Sequence, residues 1–377
     1  MMRLEPGTLR RTSRRVPIGR FRGPAAWSPD RRSVALSVNS GRLEIVGLKP
    51  LGPAATIDTP GAVNHSWLMW TTPRRLFAMR HVPTGGLAVD IIDPVARAVL
   101  RSTALSGRPV SEGLQTAAVQ SAANGGLAVL LTPERRIGAV VIAVVTPVGA
   151  IRRTRVPGIS GGFDYVSGRH RGPAMALDRG GRRAYVVSAS GRLVVEVDLA
   201  SGRSTEHDLK PSRSLMGRLR DLVGPPAYAK WIDGPERNAA LLNDRVLAVS
   251  GCDRSPGSRS HTGCPRPYGL HLIDTRAWTS RRIDKRAWQF TVTGDALVVD
   301  AAGYGERARL GLRVFGADGA VRIEAFRGRD VQATVAGSYV YVHILSPNGP
   351  TRALDVRTGR QTLLPARVPY LIPPPGS

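Results

Sequence analysis

A short apolar strand, a turn, a second strand, a turn, a third strand and an Asp-containing tail: this layout in ALDRGGRRAYVVSASGRLVVEVDLASGR (176–203) recurs along the chain. AAWSPDRRSVALSVNSGRLEIVGL (25–48) has it, with an Asp-Arg-Arg turn and a Ser-Gly-Arg turn at the same places. WLMWTTPRRLFAMRHVPTGGLAVDIIDPVARAVL (67–100) and AAVQSAANGGLAVLLTPERRIGAVVIAVVTPVGAI (117–151) repeat it. Three further copies follow: AALLNDRVLAVSGC with YGLHLIDTRAWTSRRI, then WQFTVTGDALVVDAAGYGERARLGLRVFGADGAVRIEAF, then VQATVAGSYVYVHILSPNGPTRALDVRTGRQTLLP. Repetition on this scale leaves few folds open, because each unit must bury apolar faces that it cannot cover alone.

The copies start near residues 24, 64, 116, 174, 236, 287 and 330. A spacing of roughly 40 to 60 residues is that of propeller blades with insertions. The 42 Gly and 29 Pro are spread along the chain, as many turns between short strands require. The chain is therefore expected to be all-β, a seven-bladed β-propeller of four-stranded antiparallel blades, forming one domain over 24–368. Residues 1–23 form a basic segment in which RTSRRVPIGRF is similar to a fourth strand, AIRRTRVPG, and is expected to pair with the last blade and close the ring. Residues 369–377 form a Pro-rich tail. Insertions fall at 211–231, where Leu215, Leu219 and Leu222 have helical spacing, and at 251–267, a polar loop.

The third-strand tails align best, and an Asp stands at the same place in four of them: Asp93, Asp198, Asp274 and Asp355. A carboxylate there accepts from the N–H groups of the turn that follows, which is a structural duty.

GGRRAYVVSASGRLVVEVDLASGR resembles the YVTN propeller repeat, and AAWSPDRRSVALS resembles the TolB-like repeat, with Trp-Ser-Pro-Asp closing its first strand. The likeness runs over about 24–365 in layout and is sharp in the first and fourth copies. The Gly-His and Trp-Asp dipeptides of the related WD repeats are missing. What the resemblance implies is a fold; such propellers include lactonases, sugar-acting enzymes and binding platforms alike.

Local motifs add little catalysis to that picture. GISGG (158–162) satisfies G-x-S-x-G around Ser160, but it lies in a Gly-rich connection without the strand-turn-helix elbow a nucleophile needs. GYGERA (303–308) is followed by the strand LGLRVF where a dinucleotide site needs a helix. The seven histidines show no metal-binding spacing. Trp67, Trp70, Trp231, Trp278 and Trp288 are read as core. No catalytic residue, metal or cofactor is assigned.

Both cysteines of the chain, Cys252 and Cys264, lie in one polar loop and are expected to bond to each other. A metal site with His261 would be a ligand short. The pair favours an extracytoplasmic setting, whereas Met1–Arg22 has no apolar stretch of a secretory signal. No run is long enough to span a membrane as a helix, and the chain is expected to be a monomer.

The charge is unusual: 54 Lys+Arg against 28 Asp+Glu gives +26, and only Lys49, Lys210, Lys230 and Lys285 are lysines. Such a field attracts polyanions. Its densest cluster is Arg10, Arg11, Arg14 and Arg15, while the other arginines are scattered at turns. With aromatics at 5%, stacking on bases has little support, so nucleic acid is not the expected partner. The function expected is a non-catalytic platform that binds a protein or an anionic polymer on one face. The alternative is a lactonase-like or sugar-acting enzyme with its site at the channel mouth.

Limited trypsin digestion is expected to cut first within 211–231 or 251–267 and leave the remainder intact. Release of a stable half-length fragment would contradict a single ring.

Overall fold

The computed structural model describes residues 12, 15–38, 41–61, 65–82, 86–110, 118–209, 235–254, 264, 266–300, 311–329, 331–344 and 350–364. It forms seven antiparallel sheets, each built from consecutive strands, over 21–58, 65–105, 108–171, 174–208, 236–284, 291–325 and 331–363. The sheets are the seven blades of a propeller. Five have four strands; the third gains Arg108–Pro109 and Arg169–Arg171, and the fifth gains Arg266–Pro267. The innermost strands are Phe21–Trp27, His65–Thr72, Val119–Ser121, Ala174–Leu177, Glu236–Leu241, Thr291–Thr293 and Val331–Ala336. Among the described residues the one helical element is the short turn Ala123–Gly125, and no helix is long and apolar enough to cross a membrane.

The second and third strands of each blade are nearly continuous apolar runs, because both their faces are covered by neighbouring blades. Ser33–Val38, Leu87–Asp93 and Leu127–Thr132 are almost wholly buried. The outer strands are polar and exposed, as in Ala98–Leu105 and Ser204–Asp208. One apolar cluster joins the second, third and fourth blades through Phe77, Ile91, Val129, Ile142 and Val186. Others join first to second, fourth to fifth, fifth to sixth and sixth to seventh. At the junction of the seventh and first blades the described apolar residues form two separate groups, one around Tyr341 and Ala353, the other around Leu36 and Val46.

Ile18 packs into that first-blade group, and the Gly19 N–H donates to both oxygens of the Glu44 carboxylate at 2.9 and 3.0 Å. Residues 15–20 form no strand. The rest of the segment expected to close the ring, Thr12 apart, lies outside the described residues, as do the insertion 211–231, most of the loop 251–267 and the tail 369–377.

Backbone also joins blades directly. The Ala123 N–H of the third blade donates to the Gly181 carbonyl of the fourth at 2.9 Å. Gly181 has φ +64°, and a Cβ there would stand 2.6 Å from Ala123 N and 2.7 Å from Ala122 C. Between the first and second blades a buried polar joint adds to the apolar cluster. Buried His65 lies between Ser37 Oγ, 3.4 Å from Nδ1, and Thr59 Oγ1, 3.1 Å from Nε2. Thr59 spends its own hydroxyl proton on the Gly41 carbonyl. It therefore accepts from His65 Nε2–H, which leaves Nδ1 to accept from Ser37. Behind it, Arg80 Nε donates to the fully buried Asp90 at 2.8 Å.

Two outcomes are expected. Gly181→Ala should cost about 2 kcal/mol or more in denaturant unfolding, from the left-handed backbone and the close approach. Gly180→Ala, whose Cβ would meet nothing nearer than 3.9 Å, should be close to neutral. Burial, opposed by Asp90 and aided by Arg80, lowers His65 from 6.5 to about 4. A depressed folded pKa means that the unfolded chain binds the proton first. Stability is therefore full above pH 6.5 and falls as the pH drops towards 4, by up to about 3 kcal/mol. His65→Gln should flatten that part of the stability profile; an unchanged acid limb would refute the assignment.

Candidate binding face

The strand order gives the ring two unlike ends. Turns between first and second strands, and between third and fourth, emerge at one end, here called the lower face. The remaining connections emerge at the other, the upper face. Every lower connection is two to five residues long. The described ends of the connections 209–235 and 300–311, and the Cys252–Cys264 bond, lie at the upper face.

The four aligned Asp residues are all in lower turns. Asp93 Oδ1 accepts from Val95 and Ala96 N–H at 2.9 and 3.0 Å, and Asp198 Oδ1 from Ala200 and Ser201 N–H at 3.0 and 2.6 Å. Asp274 Oδ1 accepts from Arg276 and Ala277 N–H at 2.9 and 3.1 Å, and Asp355 Oδ1 from Arg357 and Thr358 N–H at 2.8 and 3.3 Å. Turn N–H groups hold the carboxyls of Asp93 and Asp198 below the usual range. For Asp274 the Arg245 guanidinium is the larger cause and the turn N–H groups add to it. These carboxylates brace turns.

At the upper face the fifth blade holds a buried cation. Arg237, with 1% of its side chain exposed, donates from Nη1 to the Glu236 and Cys252 carbonyls, both at 2.9 Å, and from Nη2 to Asp253 at 2.6 Å. Its guanidinium lies 3.9 Å from the Tyr268 ring centroid, and that ring stacks on His271 at 4.4 Å. Tyr268 Oη donates to the Gly191 carbonyl of the fourth blade at 3.1 Å. Burial lowers Arg237 from its ordinary value, with Asp253 opposing, and lowers His271 to about 4. Cys252 and Cys264 are bonded to each other, with Cα atoms 5.7 Å apart. The disulfide and Arg237 thus fix the base of the upper loop. His261 lies outside the described residues.

Seen from the channel, the seven inner strands carry one carboxylate, Glu236. Near them, Asp300 accepts from Gln289 Nε2 at 3.1 Å and from the Ala333 N–H at 2.9 Å, tying the sixth blade to the seventh. Among the described residues no group of three His, Cys, Asp or Glu is placed to hold a metal ion. Ser160 sits within the strand Ile151–Asp164, opposite Ala139, where its Oγ accepts from Arg171 Nη1 at 2.8 Å. GYGERA lies outside the described residues. Trp70 is buried; Trp67, Trp278 and Trp288 are half-buried, and Trp278 stacks on His207 at 3.5 Å. Trp231 lies outside the described residues.

Sequence reading missed a hairpin. Gly161 lies opposite Gly138, the first residue of the neighbouring strand. Beyond it the chain has no blade partner and pairs with itself, Gly162 with Arg171, Phe163 with His170 and Asp164 with Arg169. The hairpin projects past the upper end of the third blade. Asp164 closes its tip by accepting from the Val166 N–H at 3.0 Å and the Ser167 hydroxyl at 2.5 Å. The signal was present in FDYVSGRH, an Asp-Tyr-Val-Ser-Gly turn between short flanks, hidden by its overlap with the Gly-rich GISGG.

Of the basic cluster, Arg15 is exposed, and Arg10, Arg11 and Arg14 lie outside the described residues. Other arginines stand at both ends: Arg31, Arg74, Arg97, Arg203 and Arg357 below, Arg108, Arg135, Arg169 and Arg192 above.

No family model matches the chain, and no curated protein matches it. Solved structures do resemble it in fold. They include the dihydro-heme d1 dehydrogenase NirN in complex with DHE, with TM-score 0.56, 13% identity, and 94% of this chain and 68% of that one covered. The C-terminal WD40 domain of Sif2 gives 0.53 and 10%, covering 92% and 85%. Sqt1 from Saccharomyces cerevisiae gives 0.52 and 12%, covering 91% and 84%. At such identities the likeness is one of fold alone, and the chain is a seven-bladed β-propeller of WD40-like architecture.

Proposed function

We propose that this propeller is a non-catalytic platform that binds another protein on its upper face. The observation that carries the reading is the difference between the ends: lower turns of two to five residues, four of them braced by the aligned Asp side chains, and above them the hairpin, the disulfide and the ends of the longer connections. Loops on a rigid scaffold are where recognition concentrates. The inner strands support the same reading. Glycoside or lactone hydrolysis needs an acid and a base facing one substrate, and the seven inner strands supply a single carboxylate, Glu236, next to the buried cation Arg237.

An anionic polymer is the second reading, favoured by the net charge of +26. Arginines at both ends of the ring favour a diffuse field over a built polyanion groove.

Photo-crosslinking side chains placed singly at Arg192 and Val166 on the upper face, and at Ala96 and Ala200 on the lower, test the platform in cells that make the protein. Adducts of one defined mass from the upper positions alone are expected. Equal adducts from both faces would overturn the reading. The charge has its own test, retention on heparin or DNA against salt. Changing Arg10, Arg11, Arg14 and Arg15 together to Ser should reduce retention no more than changing Arg42, Arg192, Arg203 and Arg360, since a Debye length of about 8 Å leaves distant charges nearly independent. A much larger loss from the first set would identify a local polyanion site in the N-terminal segment.

A further inference from the structure

We infer that the upper-face hairpin of the third blade is the docking knob of this platform, and that its partner is a protein surface with an apolar pocket rimmed by carboxylates. The inference rests on the platform reading and adds the place and the chemistry.

Two large side chains stand at the tip with no cover from the blade. Val166 is 98% exposed and Tyr165 is 53% exposed. Leaving such groups in water forgoes burial that a partner can supply. The knob is also preorganised. Asp164 closes the turn, Phe163 meets Tyr165 edge to face at 4.6 Å, and Arg108 Nη1 donates to Tyr165 Oη at 2.6 Å with its guanidinium 5.8 Å from the ring centroid. A tip held in one shape loses little conformational entropy on docking. An exposed Tyr braced by an Arg is the kind of anchor that fills pockets at protein interfaces.

Arginines outnumber carboxylates around it, Glu134 and Asp164 being the acidic residues beside them. Arg108, Arg135, Arg136, Arg169 and Arg171 are all exposed. The turn 133–137 abuts the hairpin base, where a Cβ on Gly162 would stand 2.5 Å from the Arg136 carbonyl. None of the five forms an ion pair with a described carboxylate. The Asp164 carboxylate at the tip accepts from its own turn, and Arg169, its partner across the hairpin, acts on it electrostatically without forming an ion pair. Elsewhere arginines are matched, as in Arg42 with Asp58, Arg245 with Asp274 and Arg322 with Asp295. An apolar knob ringed by an excess of guanidinium groups is complementary to an apolar pocket with an acidic rim. Two apolar side chains offer too little area for stable insertion into a lipid surface, so a protein pocket is the better fit.

The probe is a random 12-residue peptide library displayed on phage and selected on the full chain. Selected sequences are expected to place Asp or Glu on both sides of an apolar residue. Val166→Asp and Tyr165→Ser should each weaken their binding at least tenfold, with thermal melting little changed because the hairpin tip pairs only with itself, outside the blade sheets. Arg135→Glu with Arg169→Glu should weaken it to a similar degree and reduce its salt dependence. Peptides that bind the tip variants as well as the parent, yet are displaced by labels at Arg192, would overturn the knob while leaving the upper-face platform standing. Peptides indifferent to every upper-face change would overturn both. Tip-dependent partition of the chain onto phosphatidylserine vesicles, without acidic peptide selection, would assign the hairpin to a membrane surface instead. Failure to select any sequence above background would also refute the docking knob.

Discussion

Every blade has two apolar faces and no means of covering either. A four-stranded sheet with Val, Leu and Ile on both sides of its middle strands is unstable alone, and a ring of seven is the arrangement that gives each face a neighbour while leaving only short edges. The rest of the molecule follows from that requirement. The middle strands are mostly apolar, and polar side chains on them such as Ser37, Glu44, Arg80 and Asp90 are engaged in contacts within the ring. The outer strands meet water and take the arginines and threonines. Where one blade meets the next, the contacts are of three kinds: apolar packing, as around Ile91 and Val129; backbone on backbone, as at Gly181 and Ala123; and buried polar joints, as at His65. The last kind adds specificity to packing, because Ser37, Thr59 and His65 satisfy one another only in one arrangement.

The two ends of the ring then divide the work. Lower turns connect strands within a blade over a few residues, and Asp side chains at fixed offsets satisfy their backbone donors. Upper connections include every crossing from blade to blade and every second-to-third turn, and there the chain carries its disulfide, its buried Arg237 and its self-paired hairpin. Asymmetry of this kind is the physical basis for placing recognition at one end, since the scaffold tolerates change only where its closure does not depend on it.

Much of the fold was legible because its cause is periodic. The all-β class and its seven four-stranded blades follow from alternation and turn chemistry, which are local, and the same turn chemistry is seen where Asp93, Asp198, Asp274 and Asp355 accept from turn N–H groups. The cysteine pair was readable because one loop holds both. What sequence reading missed is what depends on contacts between distant segments. Nothing local says that His65 bridges two blades, or that Arg237 lies under Tyr268 with its charge answered by Asp253. The hairpin at Phe163 was missed for a different reason: its flanks are three residues each and merge with a long outer strand, so no pattern of period two stands out from GISGGFDYV.

The same distinction bears on the charge. A total of +26 describes a sum, but the arginines in it do different jobs. Arg80 and Arg237 are buried and paired, and Arg313 is largely buried with Asp284 as its partner. Their charges are answered inside the protein and scarcely reach a ligand. Arg42, Arg183, Arg245 and Arg322 are matched at the surface by Asp58, Glu196, Asp274 and Asp295. What a partner meets is the remainder, and within the described part of the ring the hairpin gathers five such arginines around an exposed apolar tip. A partner that responded to the sum would bind anywhere and release with salt. One that responds to the arrangement needs the tip as well as the charge, and it is the arrangement that a rigid ring is able to hold constant.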